Sequence, residues 1–209
     1  MLKEIFNGIK FGEIALIEYD SNTTPVYVLH SLLSWSEEKG YKIVIFDVFD
    51  SLIVYRKMAE LLGFDTSLCK KAKVVKVGGR VNEGNVVMKL TVTEYGPFEK
   101  VLEEAIEQVY EDKTIVIPLG TEKVLSLYPF REQLSFTNFL ALRVGDKRKK
   151  AFHFINTDLV KAVAPQILPM LEESFTTVMR LKKYGKVEKL IVVKSLNPKL
   201  DGLEVLAKS

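Results

Sequence analysis

Cysteine occurs once in this 209-residue chain and histidine twice, and both scarcities narrow its chemistry. A lone Cys69 closes no internal disulfide and builds no zinc knuckle. His30 and His153 share no motif, so Ser21, Ser31 and Ser51 find no histidine partner that would complete a nucleophilic triad. Neither a metal nor a cofactor is expected. Long apolar runs are missing as well. No stretch of about eighteen apolar residues suggests a membrane span, and the opening MLKEIF carries neither the apolar core nor the cleavage pattern of a signal peptide. The setting expected from this is cytoplasmic and reducing. Charge of one sign is also in short supply. A net charge of +3 is a small excess for a polyanion binder, so nucleic acid is not the partner expected. Glutamine is scarce while lysine and glutamate dominate the charges, a pattern associated with growth at high temperature.

What is present suits one packed domain over residues 1–209, since 47% of residues are hydrophobic and 27% charged. Ile14-Ala15-Leu16-Ile17 is a continuous apolar run, as in a parallel strand covered on both faces. Pro25 opens a helix reaching Glu38, because proline suits a first helical position. KIVIFD (42–47) repeats the strand and Ser51 to Leu62 repeats the helix. Strands are expected over 72–77, 85–93, 113–118 and 149–156. An amphipathic helix begins at Pro97, and two short helices flank Pro129. A broken helix is expected over 158–173, around Pro165 and Pro169. Ser174–Lys183 and Lys186–Ser195 read as a hairpin turning at Tyr184-Gly185. The fold expected is α/β, a mostly parallel sheet flanked by helices with a C-terminal antiparallel hairpin.

The order of these elements resembles the RecA/KaiC class of P-loop ATPases. GEIALIEYD is similar to the strand that enters the phosphate loop, EKGYKIVIFDVFD to the second strand with its acidic end, and FTTVMRLKKYGKVEKLIVVKSLNP to the terminal hairpin. More closely, the chain resembles an uncharacterised family of hyperthermophilic archaea related to Pyrococcus and Thermococcus, a diverged branch of the KaiC-like group. That family carries no established activity to transfer.

A working phosphate loop needs G-x-x-x-x-G-K-[ST] between strand and helix, for backbone cradling, charge neutralisation and magnesium. On that pattern Tyr19 and Thr24 stand at the glycines, Pro25 at the lysine and Val26 at the hydroxyl. Pro118 ends the strand TIVIP where the resemblance implies a magnesium aspartate. The expectation is therefore a degenerate P-loop, a pseudo-ATPase. The segment Asp20, Ser21, Asn22, Thr23 and Thr24 is either an ordinary connection or a ligand loop at a helix N-terminus. Asp47 and Asp50 are either a strand-end polar residue and a helix cap, or remnants of the acidic pair.

Other candidates are weaker. His30 and His153 read as structural, with His153 pointing away from Phe152 and Phe154. Cys69 reads as a structural or incidental cysteine, the alternative being a reactive thiol whose pKa the nearby Lys70 and Lys71 would lower. Basic clusters at 70–76, 147–150 and 182–186 read as solvated faces, with a nucleic-acid surface as the alternative. Tyr128, Phe130, Phe136 and Phe139 are either core or a partner surface. The function expected is non-catalytic, through a protein or peptide partner or a homo-oligomer. Nucleotide or small-ligand binding without hydrolysis, and nucleic-acid binding, are the alternatives.

Overall fold

The computed structural model describes residues 2–208, which form one nine-stranded sheet with helices on both faces. The elements run α1 (Leu2–Gly8), β1 (Ile14–Tyr19), α2 (Val26–Glu38), β2 (Lys42–Val48), α3 (Ser51–Leu61), α4 (Ser67–Lys71), β3 (Lys73–Val77), β4 (Asn85–Leu90) and α5 (Tyr95–Val109). The second half adds β5 (Thr114–Leu119), α6 (Thr121–Leu125), α7 (Phe130–Ala141), β6 (Lys149–Asn156), α8 (Thr157–Val163), α9 (Ile167–Ser174), β7 (Thr177–Tyr184), β8 (Val187–Ser195) and β9 (Glu204–Lys208). Across the sheet the order is β4-β3-β2-β5-β6-β1-β7-β8-β9. Every pairing from β4 to β7 is parallel, and β7-β8-β9 is antiparallel.

The unbroken apolar runs have a simple cause: alternate residues of each strand feed two different cores. In β1, Ala15 and Ile17 join a core with Phe6, Leu29, Trp35 and Leu52, under α1 to α4. Ile14 and Leu16 join a second core with Phe98, Phe136, Val160 and Leu171, under α5 to α9. The aromatic anchor of the first core is Trp35, tilted against Phe6 at 5.6 Å and donating its Nε1–H to Asn7.

Prolines are placed more permissively than expected. The helix expected from Pro97 starts at Tyr95, and Pro169 lies inside α9 rather than breaking it. Both sit in a first turn, whose N–H groups have no intrahelical acceptor, so nothing is lost there. The break falls at Pro165, between α8 and α9. The hairpin forms as expected, with Tyr184 opposite Val187. Three short elements had no counterpart in the sequence pattern: α1, α4 and β9 span seven, five and five residues, too few to show a period.

Candidate functional site

The strands of the sheet's centre send their helices to opposite faces. β1 and β2 lead into α2 and α3 over the first core, whereas β5 and β6 lead into α6 and α8 over the second. Since β2 neighbours β5 and β1 neighbours β6, the connections part at the carboxyl ends of these strands. A crevice at such a point is where open α/β sheets bind ligands. Here it measures about 350 Å³, and its walls include Tyr19, Thr24, Tyr55, Glu122, Asn156 and Leu159.

The loop from Asp20 to Thr24 forms one wall, and its backbone amides are already taken. Ser21 donates to Asp158 Oδ2 at 2.9 Å, Asn22 to Asp20 Oδ1 at 3.0 Å, and Thr23 to the Asp20 carbonyl at 3.2 Å. Thr24 donates to both oxygens of Glu188, at 3.1 and 3.2 Å. Pro25 has no N–H to offer. Two carboxylates, one at the start of α8 and one fully buried in β8, thus stand where a phosphate would be cradled. The Ser21 amide holds the Asp158 carboxyl below its usual range. Asn156 completes the wall: its Oδ1 accepts from Asp158 and Leu159 while its Nδ2 donates to Ser21 Oγ.

The floor of the crevice is different. Glu122 is 4% exposed, and its Oε2 has no hydrogen-bond partner among the described residues. Burial raises its carboxyl above the ordinary value, against the lowering influence of its own N–H, Lys123 and the Asn156 N–H. Lys123 Nζ donates to the Phe49 carbonyl at 3.1 Å and to Ser51 Oγ at 2.8 Å. Tyr55 donates to Tyr19 across 2.9 Å, and burial pushes both phenols well above the usual range.

Asp47 and Asp50 lie at the end of β2, engaged with each other's partner rather than with the crevice. Asp47 is fully buried, accepts the first-turn Leu52 N–H at 2.8 Å and pairs with Lys76 at 2.6 Å. Asp50 occupies the cap position of α3 in a left-handed conformation, φ +61, but its side chain does not cap the helix. It accepts instead from Lys76 and from the Arg80 and Val81 amides. Burial would raise its carboxyl, but those donors outweigh it and hold it at about 2. A Cβ on Gly79 would meet this carboxylate at 2.6 Å, so glycine is required where the chain wraps it.

A second crevice, about 360 Å³, lies between β1, β7, α8 and α9. Glu18, 3% exposed, faces Arg180 of β7 at 2.8 Å, and Arg180 also holds Glu172 of α9 at 2.6 Å. Burial first, then the neighbouring Glu172, raise the Glu18 carboxyl to about 7 despite Arg180. Sequence reading passed over Glu18, Glu122, Tyr55, Asp158 and Glu188. For Glu18 the available signal was a charge inside an apolar strand, IALIEY; the other four carried none.

Several expectations need correction. Tyr128, Phe136 and Phe139 are buried under α5, where Tyr95 meets Tyr128 edge-on at 5.5 Å; of the four aromatics only Phe130 is exposed. Cys69 is buried and its thiol is pushed up to about 11, because desolvation and then Glu83 outweigh Arg56. The basic clusters are only partly solvated. Lys76, Lys149 and Lys150 are buried, with Lys149 donating to the Arg143 carbonyl and Lys150 set over the rings of Phe11 and Trp35. His153 does point away from Phe152 and Phe154, into the second core. It is not hydrogen-bonded there: its Nδ1 has no partner among the described residues, and burial lowers it to about 3. His30 stacks on Phe64 at 4.3 Å. No helix is long and apolar enough to cross a membrane, and no cluster of three or more His, Cys, Asp or Glu could hold a metal, among the described residues.

The mostly parallel sheet, the loop carrying β1 into α2 and the antiparallel extension define an α/β protein of KaiC-like fold. A KaiC-like protein of the hyperthermophilic archaeon Pyrococcus horikoshii OT3 superposes with a TM-score of 0.56 at 10% identity, over 93% of this chain and 84% of that one. A second P. horikoshii OT3 protein, solved in a structural study, superposes with a TM-score of 0.86 at 24% identity, over 98% and 97% of the two chains. The chain belongs to the family DUF257, described as a Pyrococcus protein of unknown function, whose model matches residues 4–206. No curated protein matches the chain.

Proposed function

We propose that this chain is a non-catalytic protein of the KaiC-like class that works by binding a protein or peptide partner. The observation that carries this reading is the occupation of the loop amides by Asp158 and Glu188. A phosphate entering here would have to displace two carboxylates, would find proline at the lysine position, and would face Asp20 and Glu122 besides. Lys123, the cation in the crevice, is engaged by Phe49 and Ser51.

The partner contact fits the carboxyl end of the sheet better than the aromatic helices. Val54, Met58 and Leu61 recur at helical spacing on α3 and are 49%, 47% and 89% exposed. Leu159 and Val163 do the same on α8, at 45% and 42%. Val54, Met58 and Leu159 rim the crevice, giving it apolar lips over a polar floor. The lysine clusters do not favour nucleic acid, because several of their members are buried or paired within the fold.

Isothermal titration with ATP and ADP, each with magnesium, tests the reading. No heat and no shift in melting temperature are expected. Micromolar binding that Asp20→Ala abolishes would replace it with nucleotide binding at the loop.

A further inference from the structure

Glu122 has a property that the loop beside it lacks. It carries an acid into a nearly dry place and leaves one oxygen without a donor. Buried polar groups in native proteins are overwhelmingly paired, so an exception on a residue that lines a crevice marks where a donor belongs.

We infer that this crevice binds a primary ammonium group on an aliphatic stem, with the Glu122 carboxylate as its counter-ion. The inference rests on the interaction reading and names the group that a partner inserts.

Four features of the crevice select that chemistry. The sign of charge is the first. Glu122 on the floor and Asp20 on the wall are acids, while the Lys123 ammonium donates to Phe49 O and Ser51 Oγ. The second is the state of the backbone. Loop amides that would attract an anion already hold Asp158 and Glu188. The third is shape. A guanidinium asks for two acceptor atoms in one plane, whereas an ammonium is a compact point charge that one free oxygen satisfies. The backbone N–H groups of Glu122 and Asn156 already face this carboxylate, and its buried Oε2 is left without a donor. The fourth is the lining. Val54, Met58 and Leu159 offer apolar surface to a methylene stem. A volume of about 350 Å³ accommodates such a group.

The ammonium comes either from a free alkyl amine or from a lysine side chain, and the test separates the two. The full chain, labelled with ¹⁵N, is titrated at neutral pH with n-butylammonium and with Nα-acetyl-lysine methylamide. The neutral controls are n-butanol and Nα-acetyl-norleucine methylamide. Saturable amide shifts are expected at Gly120 to Lys123 and Ser51 to Tyr55, with the neutral controls and the Glu122→Gln variant at least about tenfold weaker. Binding of the lysine derivative at least as tight as butylammonium identifies a partner's lysine; butylammonium alone identifies a free amine. Absence of saturable shifts, equal binding of the neutral controls by the unmodified chain, or an unchanged affinity in a folded Glu122→Gln variant would overturn the inference. The comparison of charged and neutral ligands needs no variant. Magnesium-ATP added to the same sample keeps the two readings apart. Nucleotide binding would remove the closed-loop reading whatever the amines do, and amine failure without nucleotide binding would remove only this inference.

Discussion

Along the loop, every amide from Ser21 to Thr24 has an acceptor, and two of those acceptors are carboxylates from distant parts of the chain. On the floor of the same crevice, Glu122 buries a carboxylate oxygen that has no donor among the described residues. The contrast sets a loop whose donors are satisfied against a floor whose acceptor is not. The backbone cradle remains an anion site, but its anions are now part of the protein. On the floor, Glu122 Oε2 is left without a donor, with Lys123 as the neighbouring cation. The paired loop and the unpaired floor together are what the proposed ammonium site rests on.

The sharpest way to break the comparison is at Glu188, which is fully buried and whose carboxylate takes the Thr24 N–H with both oxygens. Glu188→Ala removes the acceptor and opens a void beside β8, and should destabilise the fold by about 2–4 kcal/mol in denaturant unfolding. Glu188→Gln keeps an acceptor and should lose less than half as much. If alanine lost under about 0.5 kcal/mol, the carboxylate would not be holding the loop.

Glu122→Gln should act with the opposite sign and depend on pH. Burial raises the folded carboxyl above its ordinary value. The group's contribution is therefore fully present below the unfolded pKa and is lost as pH rises through the folded one. Removing the charge should then leave stability nearly unchanged at pH 4 and raise it by about 1 kcal/mol at pH 8. Melting temperatures at both pH values decide it. An equal shift at the two would show that Glu122 is not strained by its burial, and the floor would resemble the loop after all.

How far the sequence foretold this follows from the range of each signal. IALIEY and KIVIFD declare buried parallel strands within a few residues, because alternate side chains enter two cores. The departures from the phosphate-loop pattern are equally local, at Tyr19, Thr24, Pro25 and Val26. The occupants of the loop could not be read this way: Asp158 and Glu188 meet it only after β6 and β8 are laid beside β1 and β7. Tyr128, Phe136 and Phe139 look the same in sequence whether they face α5 or a partner, and packing decides. Lysines 149 and 150 read as a charged face because composition does not reveal that β6 lies in the middle of the sheet.

The smallest effect separates the two clamps on the loop itself. Asp158 is exposed and holds Ser21 by its amide and its side chain, whereas Glu188 holds Thr24 from the interior. In hydrogen exchange, Asp158→Ala should speed Ser21 by about tenfold and leave Thr24 and the melting temperature nearly unchanged, since an exposed bond opens locally. The Asn156 side chain would still cap α8 through the amides at 158 and 159. Acceleration at Thr24 equal to that at Ser21 would mean that the two carboxylates close the loop as one unit. The loop would then be one cooperative unit rather than two independent clamps.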